Sequence, residues 1–291
     1  MDYVFPEKEI LEKSIEEISE EKKYYNLSRL IFKRDFDNKL LIPLGIDKEG
    51  EEYYIDFNEK TSMFIAGETG SGKSIYLNDI IVSLLLKNSP EDLQFVFIDQ
   101  RNIELNLYNG IPLLYKDCVS DADDSIDMLN YVVKSIEKRK ELFSKLKVNN
   151  IVKYNEKSDK KLPQIILIID EATDILKLKE TEDLINKILP DGYKFGVHII
   201  IATNSYLKDC FSPNTMKLFN YKITFDLASK EQANLIKIND AHLLSVHGEV
   251  LVKYDRDELV NLQLPYVSEQ DIKNVVNFIK IHTTNFPEYK D

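Results

Sequence analysis

The sequence predicts an α/β fold with a doubly wound, mostly parallel sheet. Three observations carry this expectation. Short apolar runs alternate with stretches of helical period along most of the chain. The run from Gln164 to Ile169 is almost pure Ile and Leu, the texture of a central strand covered on both faces. A glycine-rich turn, Gly67 to Ser74, falls where an apolar strand gives way to an apolar-periodic helix.

Taken in order, residues 7–25 are rich in Glu and Lys, with Ile10, Leu11, Ile15 and Ile18 at roughly helical spacing. They predict an N-terminal helical extension or connector over residues 1–40, ahead of one large domain over 41–291. Tyr53 to Phe57 reads as a short strand after a turn at Asp47 to Gly50. Ser62 to Ala66 is a buried strand, followed by a helix from about Gly72 to Lys87. Leu93 to Ile98 is the next strand. Between Asp121 and Leu146, Ile126, Leu129, Val133, Ile136 and Leu142 give the pattern of a long helix. A helix near 172–189 leads to a strand at Val197 to Ala202. Tyr221 to Leu227, Glu249 to Val252 and Leu259 to Leu264 read as further strands. Ser268 and Asp271 open a last helix that runs to about Ile281.

Composition narrows the class. The chain has 291 residues, is 43% hydrophobic and carries 16 Tyr and 14 Phe, enough to build a core and exclude general disorder. It contains no apolar stretch of membrane-spanning length, and its first residues lack the basic start and apolar run of a secretion signal. Cys118 and Cys210 stand far apart, outside any Cys-x-x-Cys pattern, so a disulfide scaffold and a cysteine-rich zinc site are excluded. A cytoplasmic protein is expected, at the inner face of a membrane only through a partner or a further segment. The net charge of −12 argues against a chain coated in nucleic acid. It does not exclude a ring around a duplex, where only the pore need be basic.

The motifs carry the chemistry. Gly67-Glu68-Thr69-Gly70-Ser71-Gly72-Lys73-Ser74 completes the pattern G-x-x-x-x-G-K-[ST]. Its backbone N–H groups are expected to cradle phosphates at the positive end of a helix, with Lys73 on the β- and γ-phosphates and Ser74 on Mg2+. Ile165 to Glu171 is an apolar run ending in two acids. It places Asp170 beside the metal and Glu171 where it can polarise a water. Thr203 and Asn204, after the next strand, are candidates for sensing the γ-phosphate, though an ordinary polar strand end fits as well. The expected ligands are therefore ATP and Mg2+. His242 and His247 lack accompanying ligands for a metal site, and His198 reads as a satisfied core histidine. Lys153, Lys157, Lys160 and Lys161 read as a solvated basic loop, with a phosphate-backbone contact as the other reading.

The segments between these motifs resemble the motor domain of the FtsK/SpoIIIE family of DNA translocases. The resemblance rests on Ser89 to Leu93, Ile98-Asp99, Glu104-Leu105, Tyr108 to Leu113, Glu137-x-Arg139, Asn150-Ile151, Tyr154-Asn155, Gly196 to His198 and Ala202-Thr203. It runs from about Ile42 to Ile279. It implies a RecA-like P-loop ATPase, working as a hexameric ring that hydrolyses ATP between neighbouring subunits and pumps double-stranded DNA. It implies that Lys73, Ser74, Asp170 and Glu171 form the ATPase site, and that Asn204 to Lys222 is the DNA-facing region with Lys217 and Lys222 on basic positions.

The departures concern arginine. Only Arg29, Arg34, Arg101, Arg139 and Arg256 occur among 38 Lys and Arg. Where the family usually reads Ala-Thr-Gln-Arg-Pro, this chain has Ala202 to Tyr206, and Tyr193 and Asn234 replace two further arginines. A neighbour's arginine can contribute about 10³–10⁵ in rate. The three replacements put fast, ring-coupled hydrolysis in question. Lys194 is a substitute without the planar fork. Two alternatives stay open: a type VII secretion-like ATPase domain acting on protein substrates, and a nucleotide-binding assembly module with weak hydrolysis.

Overall fold

The computed structural model describes residues 3–11, 25–31, 38–171, 173–204, 211–226, 244, 248–254 and 258–283. Among these are strands β1 (Tyr25–Asn26), β2 (Leu41–Ile46), β3 (Glu52–Asp56), β4 (Ser62–Ala66), β5 (Leu93–Asp99) and β6 (Gln164–Asp170). They continue with β7 (Val197–Thr203), β8 (Tyr221–Thr224), β9 (Glu249–Tyr254), β10 (Glu258–Gln263) and β11 (Pro265–Tyr266). The α-helices are α1 (Leu27–Ile31), α2 (Lys73–Leu85), α3 (Ala122–Leu146), α4 (Ile151–Lys157), α5 (Thr173–Leu176), α6 (Lys179–Ile188), α7 (Pro213–Met216) and α8 (Glu269–His282).

Nine strands form one sheet in the order β3-β2-β10-β9-β8-β4-β7-β6-β5. The half from β8 to β5 is parallel throughout. The half from β3 to β9 is antiparallel, and it joins at the β8–β9 edge. Helices α2 and α8 cover one face, with Tyr76, Leu77, Ile80 and Ile81 packed beside Ile272, Val275 and Ile279. Helices α3 and α6 cover the other, through Met128, Leu129, Val132, Leu184 and Ile185. This is the doubly wound arrangement expected from the alternation, extended by antiparallel strands at one side.

Local chemistry fixes the ends of these elements. Asp121 caps α3 by accepting the Asp124 N–H at 2.9 Å, and Ser268 caps α8 by accepting the Asp271 N–H at 3.1 Å. The single helix expected near 172–189 is two, α5 and α6, because Leu178 takes an extended backbone (φ −76°, ψ 127°) before α6. Strand β8 ends at Thr224 rather than Leu227, which lies outside the described residues.

Most of the N-terminal stretch expected to be helical, residues 12–24, also lies outside the described residues. Its flanks join the main core. Leu11, Leu27 and Ile31 are buried in the same cluster as α2 and α8, and β1 pairs in parallel with β11. His198 is buried between the Thr61 carbonyl and Gln164 Oε1, both at 3.3 Å, and burial pushes its imidazole down to about 4. It is the neutral core histidine expected. Arg139 is buried as well, and donates to the carbonyls of Pro163 (2.7 Å), Phe195 (2.6 Å) and Gly196 (3.2 Å). It thereby ties α3 to the segments that enter β6 and β7.

One core group works against the fold. Asp79 on α2 is fully buried, and neither carboxylate oxygen has a hydrogen-bond partner. Burial pushes its carboxyl well above the carboxylate range, while the Val267 N–H pulls the other way. From pH 4 upward the folded state therefore holds a proton that the unfolded chain releases. Stability falls as pH rises, by up to about 1.4 kcal/mol per unit. An amide at this position needs no proton and can use the neighbouring Tyr76 hydroxyl, which is also buried and unpartnered. Asp79→Asn is expected to flatten the pH dependence and to gain at least about 1 kcal/mol at pH 8. Urea unfolding at pH 5 and pH 8 checks it, and equal losses at both pH values would refute it.

Candidate functional site

Parallel strands deliver their C-terminal ends to a common edge, and this edge collects the polar residues. In register, Asp99 at the end of β5 lies beside Asp170 at the end of β6, Asp170 beside Ala202 on β7, and Thr203 beside Ala66 on β4. The turn after β4 is Gly67–Ser74, and it opens α2. Its conformation needs glycine. Gly72, the residue before α2, has φ +109°, and a Cβ on Gly67 would lie 2.6 Å from Phe225 Cβ.

Lys73 is buried, and its ammonium donates to the carbonyls of Gly67 at 2.8 Å and Glu68 at 2.7 Å. Burial lowers its proton affinity, and Glu171 and Asp170 raise it in opposition. Binding a triphosphate would exchange the two carbonyl contacts for stronger, charge-assisted bonds to phosphate oxygens. Asn204, just beyond β7, donates from Nδ2 to Thr69 Oγ1 at 3.0 Å, so it grips the loop itself. Thr203 is buried.

Asp170 is buried, with Oδ1 unpartnered, as is Ser71 Oγ in the loop. Burial, then Asp99, Glu171 and Glu104, push the Asp170 carboxyl up to about 7, against the pull of Lys73. Such a crowd of carboxylates is a ready partner for a divalent cation. Among the described residues no three acidic, histidine or cysteine side chains could hold a metal by themselves. The buried, unpartnered Oδ1 of Asp170 would suit a Mg2+ that, with Ser74, took its remaining ligands from phosphate and water, the usual mode for this ion.

Glu171 follows with φ +50°, a left-handed backbone that costs a non-glycine residue about 1–3 kcal/mol. Its N–H donates to the Ala202 carbonyl at 3.1 Å, which holds the turn against β7. Its side chain is nearly covered, and Oε2 lies 3.7 Å from Nη2 of Arg101.

Three residues of this edge were not singled out for a role from sequence. The Asp99 carboxylate accepts five backbone N–H groups, those of Arg101, Asn102, Ile103, Glu104 and Leu105, and so folds the loop after β5 around itself. That loop presents Arg101 to Glu171 and sets Glu104 towards α2, where Ser74 and Asn78 pull its carboxyl down. Burial raises the Glu104 carboxyl, followed by repulsion from Asp99. The available sequence signal was a second apolar strand ending in Asp, Leu93 to Asp99.

The other candidates lie elsewhere. Lys217 is exposed after α7, and Lys222 on β8 donates to the Phe219 carbonyl at 3.0 Å. Lys194 pairs with Asp191 at 2.7 Å, next to Tyr193. Lys153, Lys157, Lys160 and Lys161 are exposed on α4 and the turn after it. Ser205, Tyr206, Asn234, His242 and His247 lie outside the described residues.

The chain is similar to known proteins over most of its length. DNA translocase FtsK of Caldanaerobacter subterraneus subsp. tengcongensis is 32% identical over 88% of this chain and 37% of its own length. DNA translocase FtsK of Lactococcus lactis subsp. cremoris is 36% identical over 84% of this chain and 34% of its own. The chain thus spans about a third of the length of these relatives. The conjugation coupling protein TcpA of pCW3, in its monomer form with ATPγS, superposes with a TM-score of 0.75 at 20% identity, over 88% of this chain and 73% of TcpA. ATPases 2 and 3 of EssC from Geobacillus thermodenitrificans give 0.73 at 22%, over 86% of this chain and 50% of EssC. At such identities the likeness shows the fold, that of the P-loop ATPases. The FtsK/SpoIIIE family model matches residues 32–212, more than half of the sequence, and the chain belongs to the FtsK/SpoIIIE family.

Proposed function

We propose that this chain is a Mg-ATP-driven motor module that moves double-stranded DNA, assembled as a homo-oligomer, a hexameric ring when active. The observation that carries the reading is the meeting of a complete phosphate loop with a buried Asp170 and a nearly covered Glu171 at one sheet edge. In this reading the backbone of Gly67, Glu68, Thr69, Gly70, Ser71 and Gly72 cradles the phosphates, and Lys73 takes the β- and γ-phosphate charge. Ser74 and Asp170 hold Mg2+, which would neutralise charge developing on the phosphate oxygens. Glu171 accepts a proton from the attacking water. A bond forms from that water to the γ-phosphorus, the bond to the bridging oxygen breaks, and ADP and phosphate leave. Asn204, tied to Thr69, senses the terminal phosphate through the loop.

The DNA part of the reading is supported by the relatives' identity as DNA translocases and by Lys217 and Lys222. Point charges on such lysines suit phosphate contacts that carry no sequence information. ATP and DNA as substrates put the site in the cytoplasm, and a membrane-anchored partner is compatible with it. Among the described residues no helix is long and apolar enough to cross a membrane.

The test is ATP turnover with and without duplex DNA, beside fluorescence anisotropy of a labelled duplex at two salt concentrations. Duplex is expected to stimulate turnover and to bind without sequence preference, more weakly at the higher salt. Lys217→Glu with Lys222→Glu is expected to abolish both effects and leave ATP affinity within about twofold. Hexameric protein that binds no duplex at low salt would overturn the DNA reading and favour a protein-handling or assembly role.

A further inference from the structure

We propose that Arg101 is the arginine this chain brings to the terminal phosphate of its own nucleotide, and that its pairing with Glu171 is the resting position of that same side chain. The inference rests on the ATP-hydrolysing reading above.

The backbone that carries Arg101 is held from two directions. The Asp99 carboxylate binds the Arg101 N–H at 3.0 Å together with the next four. Gln100 Oε1 accepts the Asp174 N–H at 3.1 Å, which ties the loop to the helix that follows Glu171. Glu104 faces α2, where Ser74 and Asn78 favour its charged form. The loop thus reaches the predicted base through Arg101 and faces the predicted metal ligand Ser74 through Glu104.

The side chain is held far less firmly than its backbone. It is 47% exposed, and 3.7 Å to Glu171 Oε2 is an ion pair too long for a hydrogen bond. The guanidinium charge is felt at Lys73 as well as at Glu171, so it already belongs to the electrostatics of the phosphate site. A terminal phosphate carries more negative charge than one carboxylate and offers the fork geometry that guanidinium binds in two places. Arriving there, it competes with Glu171 for Arg101 and wins on charge.

That single side-chain movement has two effects. It sets a cation where charge develops in phosphoryl transfer. It also uncovers Glu171, whose carboxylate can then take the proton of water rather than balance an arginine. Before nucleotide arrives, the base is engaged; once the terminal phosphate is in place, it is released.

The sequence leaves this part to be filled. The positions of three expected arginines hold Tyr193, Asn234 and the Ala202-to-Tyr206 segment. Arg139 is buried on three carbonyls and cannot serve. The side chains of Arg29, Arg34 and Arg256 lie outside the described residues. Among those described, Arg101 is the guanidinium at the site.

The experiment compares affinities by calorimetry in a Glu171→Gln background, with Mg2+, using ATPγS and ADP as probes. Arg101→Ala is expected to weaken ATPγS binding about tenfold and ADP binding less than about twofold, because the contact is to the terminal phosphate alone. In the chain with Glu171 intact, Arg101→Ala is expected to lower kcat by at least about 10²-fold, with Arg101→Lys recovering ATPγS affinity better than kcat. Equal losses for both nucleotides would mean a merely structural residue and would overturn the proposal, as would no change in either. Recovery of turnover on mixing Arg101→Ala with Lys73→Ala chains would put the arginine in a neighbour's site and overturn the assignment to its own. Absence of turnover in the unmutated protein would count against ATP hydrolysis, while the affinity ratio would still decide the role of Arg101.

Discussion

Lys73→Ala is expected to remove Mg-ATP binding from the calorimetric range, a loss of at least about 10²-fold in affinity. The ammonium is buried and makes two contacts within its own loop, so the chain has already met the cost of desolvating it. On binding, those contacts become charge-assisted bonds to phosphate oxygens, each worth about 1.5–3 kcal/mol. Two of them account for a hundredfold loss or more. Alanine also takes away a counter-charge to Asp170, which Lys73 pulls down against three carboxylates. The remaining negative site would repel a triphosphate. Unaltered affinity in a variant that unfolds at the same temperature as the parent would exclude Gly67–Ser74 as the phosphate cradle.

Glu171→Gln separates binding from chemistry. The amide keeps the shape of the side chain but cannot take a proton from water. Loss of a general base costs about 10²–10⁴-fold, and kcat is expected to fall within that range while ATP affinity stays within a few fold. Glutamine at this position also releases Arg101 from its ion pair, so triphosphate binding is expected to tighten rather than weaken. Steady-state turnover and equilibrium binding on the same preparation are the check. Equal turnover in both proteins would mean that the water is activated by another group.

The two halves of the site differed in how readable they were. Gly67–Ser74 and Asp170-Glu171 are contiguous strings, each bound to one strand end, and their chemistry follows from local sequence and the element before them. Asp99, Arg101 and Glu104 act through neighbours distant in sequence. Asp99 matters because β5 lies beside β6 in register, and Arg101 because the loop wrapped on Asp99 returns towards Glu171. No local pattern announces such a pairing. The same contrast holds for the fold. The parallel strands were legible from their unbroken apolar runs. Strand β2 was not read as a strand, because Pro43 and Gly45 interrupt it and the register to β3 shifts there. The break between α5 and α6 has neither Gly nor Pro to mark it. It comes from the extended backbone at Leu178.

The close approach of Phe225 to the phosphate loop has a mechanical meaning. Phe225 donates its N–H to the Ala66 carbonyl at 2.8 Å, and the Asp226 carbonyl receives the Glu68 N–H at 3.1 Å. Its side chain fills the space that a Cβ on Gly67 would need. The end of β8 is thus seated against the cradle with no slack on either side. Lys222 stands three residues back on the same strand, about 10 Å away in an extended chain. A strand is stiff along its length, and close-packed interiors transmit strain rather than absorb it. A displacement at Lys222 would therefore be carried along β8, and through its pairing with β4, to the phosphate loop at Gly67.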